Sequence, residues 1–136
     1  MLTARHLMRQ PLHTISARDS VALAIRRMQL NNISSLIVPP RDESAEYGIL
    51  TKHDIVNKVV AADRDPVQVR VGDVMTSPLV SVDLECSARR CAALMMQNHI
   101  RRLPVIQNGQ PVGIVSDSDV FDALLNFHTE AALYPS

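Results

Sequence analysis

Two short stretches repeat one chemical pattern: Thr51-x-x-Asp54 and Ser116-x-x-Asp119 each set a hydroxyl three residues before a carboxylate. An ionised carboxylate is an acceptor that suits a ligand offering adjacent hydroxyl donors. The same spacing also satisfies a helix capping box, in which Asp at the third helical position answers the capping hydroxyl. The two roles coexist when one carboxylate oxygen is left over. Arg101 and Arg102 precede the second pattern, and planar guanidinium donors suit phosphate, although a solvated strand edge would also hold them. The corresponding residues before the first pattern are the neutral Ser34 and Ser35. Gly48 and Gly113 lie just ahead of the two patterns, where a missing side chain would let a ring approach the backbone or would simply ease strand packing.

Catalytic signatures are lacking. No Gly-x-Ser-x-Gly, P-loop or dinucleotide glycine motif occurs, and no nucleophile with a poised base can be picked out, so an enzyme is not expected. His6, His13, His53, His99 and His128 form no metal-ligand spacing, so no metal is expected. Cys86 and Cys91 match no zinc or redox motif and read as buried free thiols of a reducing cytoplasm.

The elements that must position these groups come from a repeat. Residues 8–38 and 75–105 align without a gap at an offset of 67, with nine identities that include Met8/Met75, Pro11/Pro78, Met28/Met95, Ile33/Ile100 and Val38/Val105. Each copy opens with a short helical lead, Thr3 to Met8 or Val71 to Met75. An extended segment follows, His13 to Ile15 or Leu79 to Val82. Asp19-Ser20 then begins a helix with Val21, Ala24, Ile25 and Met28 on one face, matched by Ala88, Cys91, Ala92 and Met95. Asn31-Asn32 and Asn98-His99 read as helix stops. Two strands come next: Ser35 to Val38 with Tyr47 to Leu50, and Arg102 to Gln107 with Gln110 to Val115. Asn108-Gly109 is a hairpin signal, while Pro39 to Glu46 reads as an exposed, mobile loop. A helix closes each copy, Lys52 to Ala61 and Asp117 to His128. The expected fold is α/β (α+β), with repeats at 1–61 and 71–128, a linker at 62–70 and a tail at 129–136.

Composition fits a globular domain, with 46% apolar and 21% charged residues. Formal charge is zero, and the chain split at Pro66 carries +2 and −2, too little field to expect nucleic-acid binding. No stretch approaches the roughly 18–20 apolar residues that would span a bilayer, and no signal-peptide run opens the chain. A cytoplasmic protein is expected.

These features together resemble the cystathionine β-synthase (CBS) domain pair, the Bateman module. The resemblance rests on Val74-Met75-Thr-Ser-Pro78, a helix ending in Met before Asn, Arg102-Leu-Pro-Val105, and the Gly48 to Asp54 and Gly113 to Asp119 segments. It implies two repeats packed about a pseudo-twofold axis, with AMP, ADP, ATP or a related adenosine compound in clefts between them. Asp54 and Asp119 would bind ribose, and Arg101 and Arg102 the α-phosphate. The richer cleft would combine Ser116, Asp119, Arg101 and Arg102 with Leu12, His13, Thr14, Ile33 and Ser34. The second would combine Thr51 and Asp54 with Leu79, Val80, His99 and Ile100, and His53 and His99 are further candidates to touch phosphate there. The resemblance implies a regulatory module, no required cofactor beyond that nucleotide ligand, a homodimer and an unidentified regulated protein. A dimerising interaction scaffold with vestigial clefts is the alternative. Apolar helix faces at Ala92 to Met96 and Val120 to Leu125 also point to a dimer, the alternative being that the second helix finishes the intramolecular core.

Overall fold

The computed structural model describes residues 1–125, so the last part of the helix expected to reach His128, and the tail 129–136, lie outside the described residues. The described residues form two compact units, one made of residues 13–79 and the other of residues 1–12 together with residues 80–125.

The contiguous unit is built on α2 (Val21–Asn31). Ser20 caps it by accepting from Leu23 N–H, and Asn32, at φ 51°, ends it in the left-handed conformation. Its apolar face, Val21, Ala24 and Met28, joins Ile15, Leu36, Val38, Leu50, Ile55 and Val59 in the core. Strands β1 (Ser35–Val38) and β2 (Gly48–Thr51) pair antiparallel with Ser35 opposite Thr51. The expected extended segment is realised as a parallel bridge of Thr14 to Ile37, in which Ile15 N–H donates to Ile37 C=O at 3.0 Å. The expected closing helix changes pitch: α3 (Lys52–Ile55) passes into a π-helical turn over Val56–Val60. The linker packs against this unit, with Pro66 C=O accepting from Ala22 N–H and Val69 buried in the core. A short helix, α4 (Val71–Val74), also buries Val71 and Val74 here.

The other unit repeats the plan. Its helix α5 (Ala88–Asn98) is capped by Ser87 and ended by His99 at φ 53°. Strands β4 (Arg102–Gln107) and β5 (Gln110–Ser116) form the expected antiparallel hairpin, Leu103 opposite Val115, with a bulge after Val105. Asn108 and Gly109 turn it at φ 53° and 77°, the two positive values a type I′ turn requires. Of the segment expected to be extended, Leu79 to Val82, only Val82 lies in a strand, β3 (Val82–Asp83), which runs parallel to β4. The closing helix α6 covers Asp117–Leu124. The core comprises Val82, Leu84, Cys91, Met95, Leu103, Val105, Val115 and Val120, together with Ala4 and Leu7. Those last two come from the first helix of the chain, α1 (Ala4–Leu7).

The leads are therefore exchanged relative to the sequence repeats. The lead that opens the first repeat packs on the body of the second, and α4, which opens the second, packs on the body of the first. Backbone bonds seat α1, with Ala4 N–H on Cys86 C=O at 2.8 Å and Arg5 N–H on Leu84 C=O at 2.9 Å. After each lead the chain makes one antiparallel bridge to a strand, Arg9 to Ile114 in one unit and Thr76 to Ile49 in the other. No helix among the described residues is long and apolar enough to cross a membrane.

Candidate functional site

The antiparallel register of β4 and β5 sets Arg102 directly opposite Ser116, the residue that caps α6. Arg101 is tied to the same corner because its C=O accepts from Asp117 N–H at 2.9 Å. One unit thus gathers Arg101, Arg102, Ser116 and Asp119 at the start of α6. The corresponding corner of the other unit holds Ser34, Ser35, Thr51 and Asp54, with Lys52 N–H donating to Ser34 C=O at 3.0 Å.

Both hydroxyl–carboxylate patterns are capping boxes. Asp54 Oδ2 accepts from Thr51 N–H at 3.0 Å while Thr51 Oγ1 accepts from Asp54 N–H at 3.1 Å. Asp119 Oδ2 takes Ser116 N–H at 3.0 Å and lies 2.8 Å from Ser116 Oγ, which itself accepts from Asp119 N–H at 3.1 Å. The second oxygen of each carboxylate also has a partner. Asp54 Oδ1 accepts from Thr76 Oγ1 at 3.3 Å and pairs with Lys58 Nζ at 3.2 Å. Asp119 Oδ1 accepts from Arg9 Nε at 2.7 Å. Neither carboxylate therefore keeps the idle oxygen under which capping and ligand binding coexist without rearrangement.

The partners come from the exchanged leads, and they are equivalent: Arg9 and Thr76 stand 67 residues apart, each directly after the repeated methionine. Sequence reading missed both. The register of the Met8/Met75 identity was the available signal, and Lys58 was visible as the i+4 neighbour of Asp54.

The glycines also serve the leads. A Cβ on Gly113 would lie 2.6 Å from Met8 Sδ, and one on Gly48 would lie 2.7 Å from Met75 Sδ. What approaches the strand backbone at these glycines is a thioether of the protein's own lead, rather than the ring considered from the sequence.

Charge distinguishes the two corners. Arg102 is half-buried and, among the described residues, forms no ion pair. Burial holds its pKa below the ordinary arginine value, and the nearby Arg101 pushes the same way while Asp117 and Asp119 oppose. Arg9 is raised by its bond to Asp119 and by that carboxylate's charge. Arg101 is exposed.

The remaining candidates are distributed as follows. Leu12 belongs to the unit that holds Asp119, whereas His13, Thr14, Ile33 and Ser34 belong to the other. Thr51, Asp54 and Leu79 lie in the 13–79 unit, and Val80, His99 and Ile100 in the other. Thr14 C=O accepts from Arg27. Ile33 and Ile100 donate their N–H groups to Met28 and Met95 C=O at 3.0 Å each, closing the ends of α2 and α5. His99 is exposed as the left-handed stop of α5, and His53 lies 2.8 Å from Asn57 Nδ2. No cluster of three or more His, Cys, Asp or Glu that could hold a metal occurs among the described residues.

Duplicated helix–hairpin–helix bodies with a capped carboxylate at each closing helix define a two-repeat module, and comparison with known proteins agrees. The chain belongs to the CBS domain family, whose model matches residues 4–61 and 71–126. A mitochondrial CBS domain-containing protein of Arabidopsis thaliana is 35% identical over 115 residues, covering 82% of this chain. The match spans 56% of that relative's length. Hypoxic response protein 1 of Mycobacterium tuberculosis is 30% identical over 120 residues, 88% of this chain and 83% of that protein. Among solved structures, a hexameric CBS-CP12 protein from bloom-forming cyanobacteria has a TM-score of 0.84 and 38% identity, covering 100% of this chain and 76% of that one. The crystal structure of Hypoxic Response Protein I with two coordinated zinc ions has a TM-score of 0.74 and 30% identity, covering 91% and 100%. These matches point to CBS domain proteins rather than to a catalytic family.

Proposed function

We propose that this chain is a non-catalytic regulatory module that takes an adenosine-type ligand, AMP, ADP or ATP, at the corner formed by Arg101, Arg102, Ser116 and Asp119. The observation that carries this reading is Arg102. A half-buried guanidinium without an ion-pair partner among the described residues bears a desolvation cost that a bound anion would offset. Its place opposite Ser116 sets it beside Asp119, an acceptor that suits ribose hydroxyls. Phosphate at the arginines and ribose at the carboxylate together describe a nucleotide.

A thermal-shift panel of adenosine, AMP, ADP, ATP, S-adenosylmethionine and NAD(H) tests it, since a ligand bound only by the native state raises its apparent stability. Nucleotides should raise the melting temperature. Arg102→Ala should weaken AMP on the order of tenfold to a hundredfold, the worth of a charge-assisted bond, and weaken adenosine less. An unshifted melt with every compound at millimolar concentration would overturn the reading.

A second reading is an assembly scaffold, and it begins from the other corner as the poorer ligand site. There Asp54 is held by Thr51, Thr76 and Lys58, and Ser34 and Ser35 offer no charge. On the unit that holds Asp119, Met96, Phe121 and Leu124 are large apolar side chains that stand exposed. Such surface suits a second copy of the chain, and the cyanobacterial relative is hexameric. Light scattering at micromolar concentration should give a dimer mass, and a monomer would remove this reading.

A further inference from the structure

We propose that Arg9 makes the Asp119 corner select phosphorylated ligands: it occupies the carboxylate oxygen that ligand hydroxyls need and yields it readily only when a phosphate offers the guanidinium a new partner. This rests on the nucleotide reading above and goes further, naming a selectivity residue outside the arginine pair.

The carboxylate of Asp119 has little unused capacity. Its Oδ2 is committed to Ser116, and its side chain is only 8% exposed, so a ligand hydroxyl must approach Oδ1. Arg9 Nε already holds that oxygen at 2.7 Å. The Arg9 side chain is 76% exposed and can rotate away, while its backbone stays pinned by bonds in both directions to Ile114, at 2.8 and 3.2 Å. A swinging side chain on a fixed Cα is a gate.

The gate discriminates by charge. A neutral diol that displaces Arg9 exchanges a charge-assisted bond for bonds from uncharged hydroxyls, and it leaves the guanidinium with water alone. A phosphorylated ligand pays the same displacement but supplies an anion in reach of the freed arginine. The negative charge of Asp119 acts on both Arg9 and Arg102, so the three groups already share one field. The lead at the other corner has no counterpart, and the cation on Asp54 Oδ1 there, Lys58, comes from the closing helix and is also tied to Val74 C=O at 2.9 Å. At the position equivalent to Arg9 stands Thr76, whose short neutral hydroxyl meets Asp54 at 3.3 Å and cannot follow a phosphate.

Isothermal titration of the full chain with adenosine and AMP, for the wild type and Arg9→Thr at fixed ionic strength, tests the gate. Arg9→Thr installs the residue type that stands at the equivalent position. Adenosine should bind the variant more tightly and AMP no more tightly, so the preference for AMP over adenosine should fall about tenfold, the scale of one charge-assisted bond. A preference within about twofold of wild type would overturn the gate while leaving the nucleotide reading intact. If neither protein binds either compound, the nucleotide reading itself fails, and the gate with it. Arg9→Gln, which keeps most of the stem, carries the same comparison should Arg9→Thr fold poorly.

Discussion

Replacing Gly113 by alanine should destabilise the protein by about 1–3 kcal/mol, the usual cost of overpacking a filled site. The added Cβ would lie 2.6 Å from Met8 Sδ and 3.0 Å from both Met8 Cβ and Cγ. Favourable carbon contacts begin near 3.5 Å, so all three are repulsive. A thioether alone could rotate aside. Met8 Cβ cannot, because Met8 N–H is bonded to Ala4 C=O and the next residue is bridged to Ile114. Relief therefore requires the lead itself to shift. Met8→Ala removes Sδ and Cγ and should cost about 1–2 kcal/mol, below the range for a fully buried methionine because Met8 is only half-buried. In that background Gly113→Ala meets only the Cβ contact and should cost less than about 1 kcal/mol. The double-mutant cycle should then show about 1–2 kcal/mol of coupling, read from urea denaturation midpoints at unchanged slope. Additivity within about 0.5 kcal/mol would show that the two residues do not constrain each other.

Asp54→Ala should lower stability by about 1.5–3 kcal/mol, because the carboxylate is buried and its loss leaves Thr51 N–H without its acceptor. Lys58→Ala should cost less than about 1 kcal/mol, since that ammonium is half-exposed. Thermal melts that reverse this order would mean Asp54 is not a structural anchor. Cys91 has its thiol pushed up to about 12 from 9.0, first by burial and then by the neighbouring Cys86. The unfolded chain releases that proton near pH 9 while the folded chain keeps it, so stability present below pH 9 should fall as pH rises from 9 to 12. Denaturation across that window should show a shallower fall for Cys91→Ala than for wild type, and equal slopes would refute the assignment.

Local chemistry was legible wherever neighbours in sequence decide it. Asn108-Gly109 turned the hairpin because both positions take positive φ, and Ser20 and Ser87 capped α2 and α5 because their hydroxyls meet an N–H three residues on. Asn32 and His99 stopped those helices in the left-handed conformation. The capping boxes were legible too, but the occupants of the remaining carboxylate oxygens were not. Arg9 reaches Asp119 across 110 residues, and no periodicity tells a four-residue helix which body it will join. The glycines left two readings open, a ring against the backbone or close strand packing, for the same reason. Gly48 and Gly113 announced a close approach, and only the tertiary placement of Met75 and Met8 named what approaches. The π-helical turn at Val56–Val60 had no sequence marker either, because its apolar residues suit either pitch.

The exchange of leads bears on how the chain is made. Residues 1–12 leave the ribosome well before the strands and helix they join. The stretch 13–79 is a contiguous unit whose partners are all present once Leu79 has emerged. Seating Arg9 on Ile114 then closes a chain loop that includes residues 13–79. The entropy of such closure grows only logarithmically with length, so the delay costs time more than stability. During that interval Leu7 and Met8 have apolar surface with nowhere of their own to bury it. Nascent-chain aggregation should accordingly be governed by the first twelve residues more than by any strand that follows.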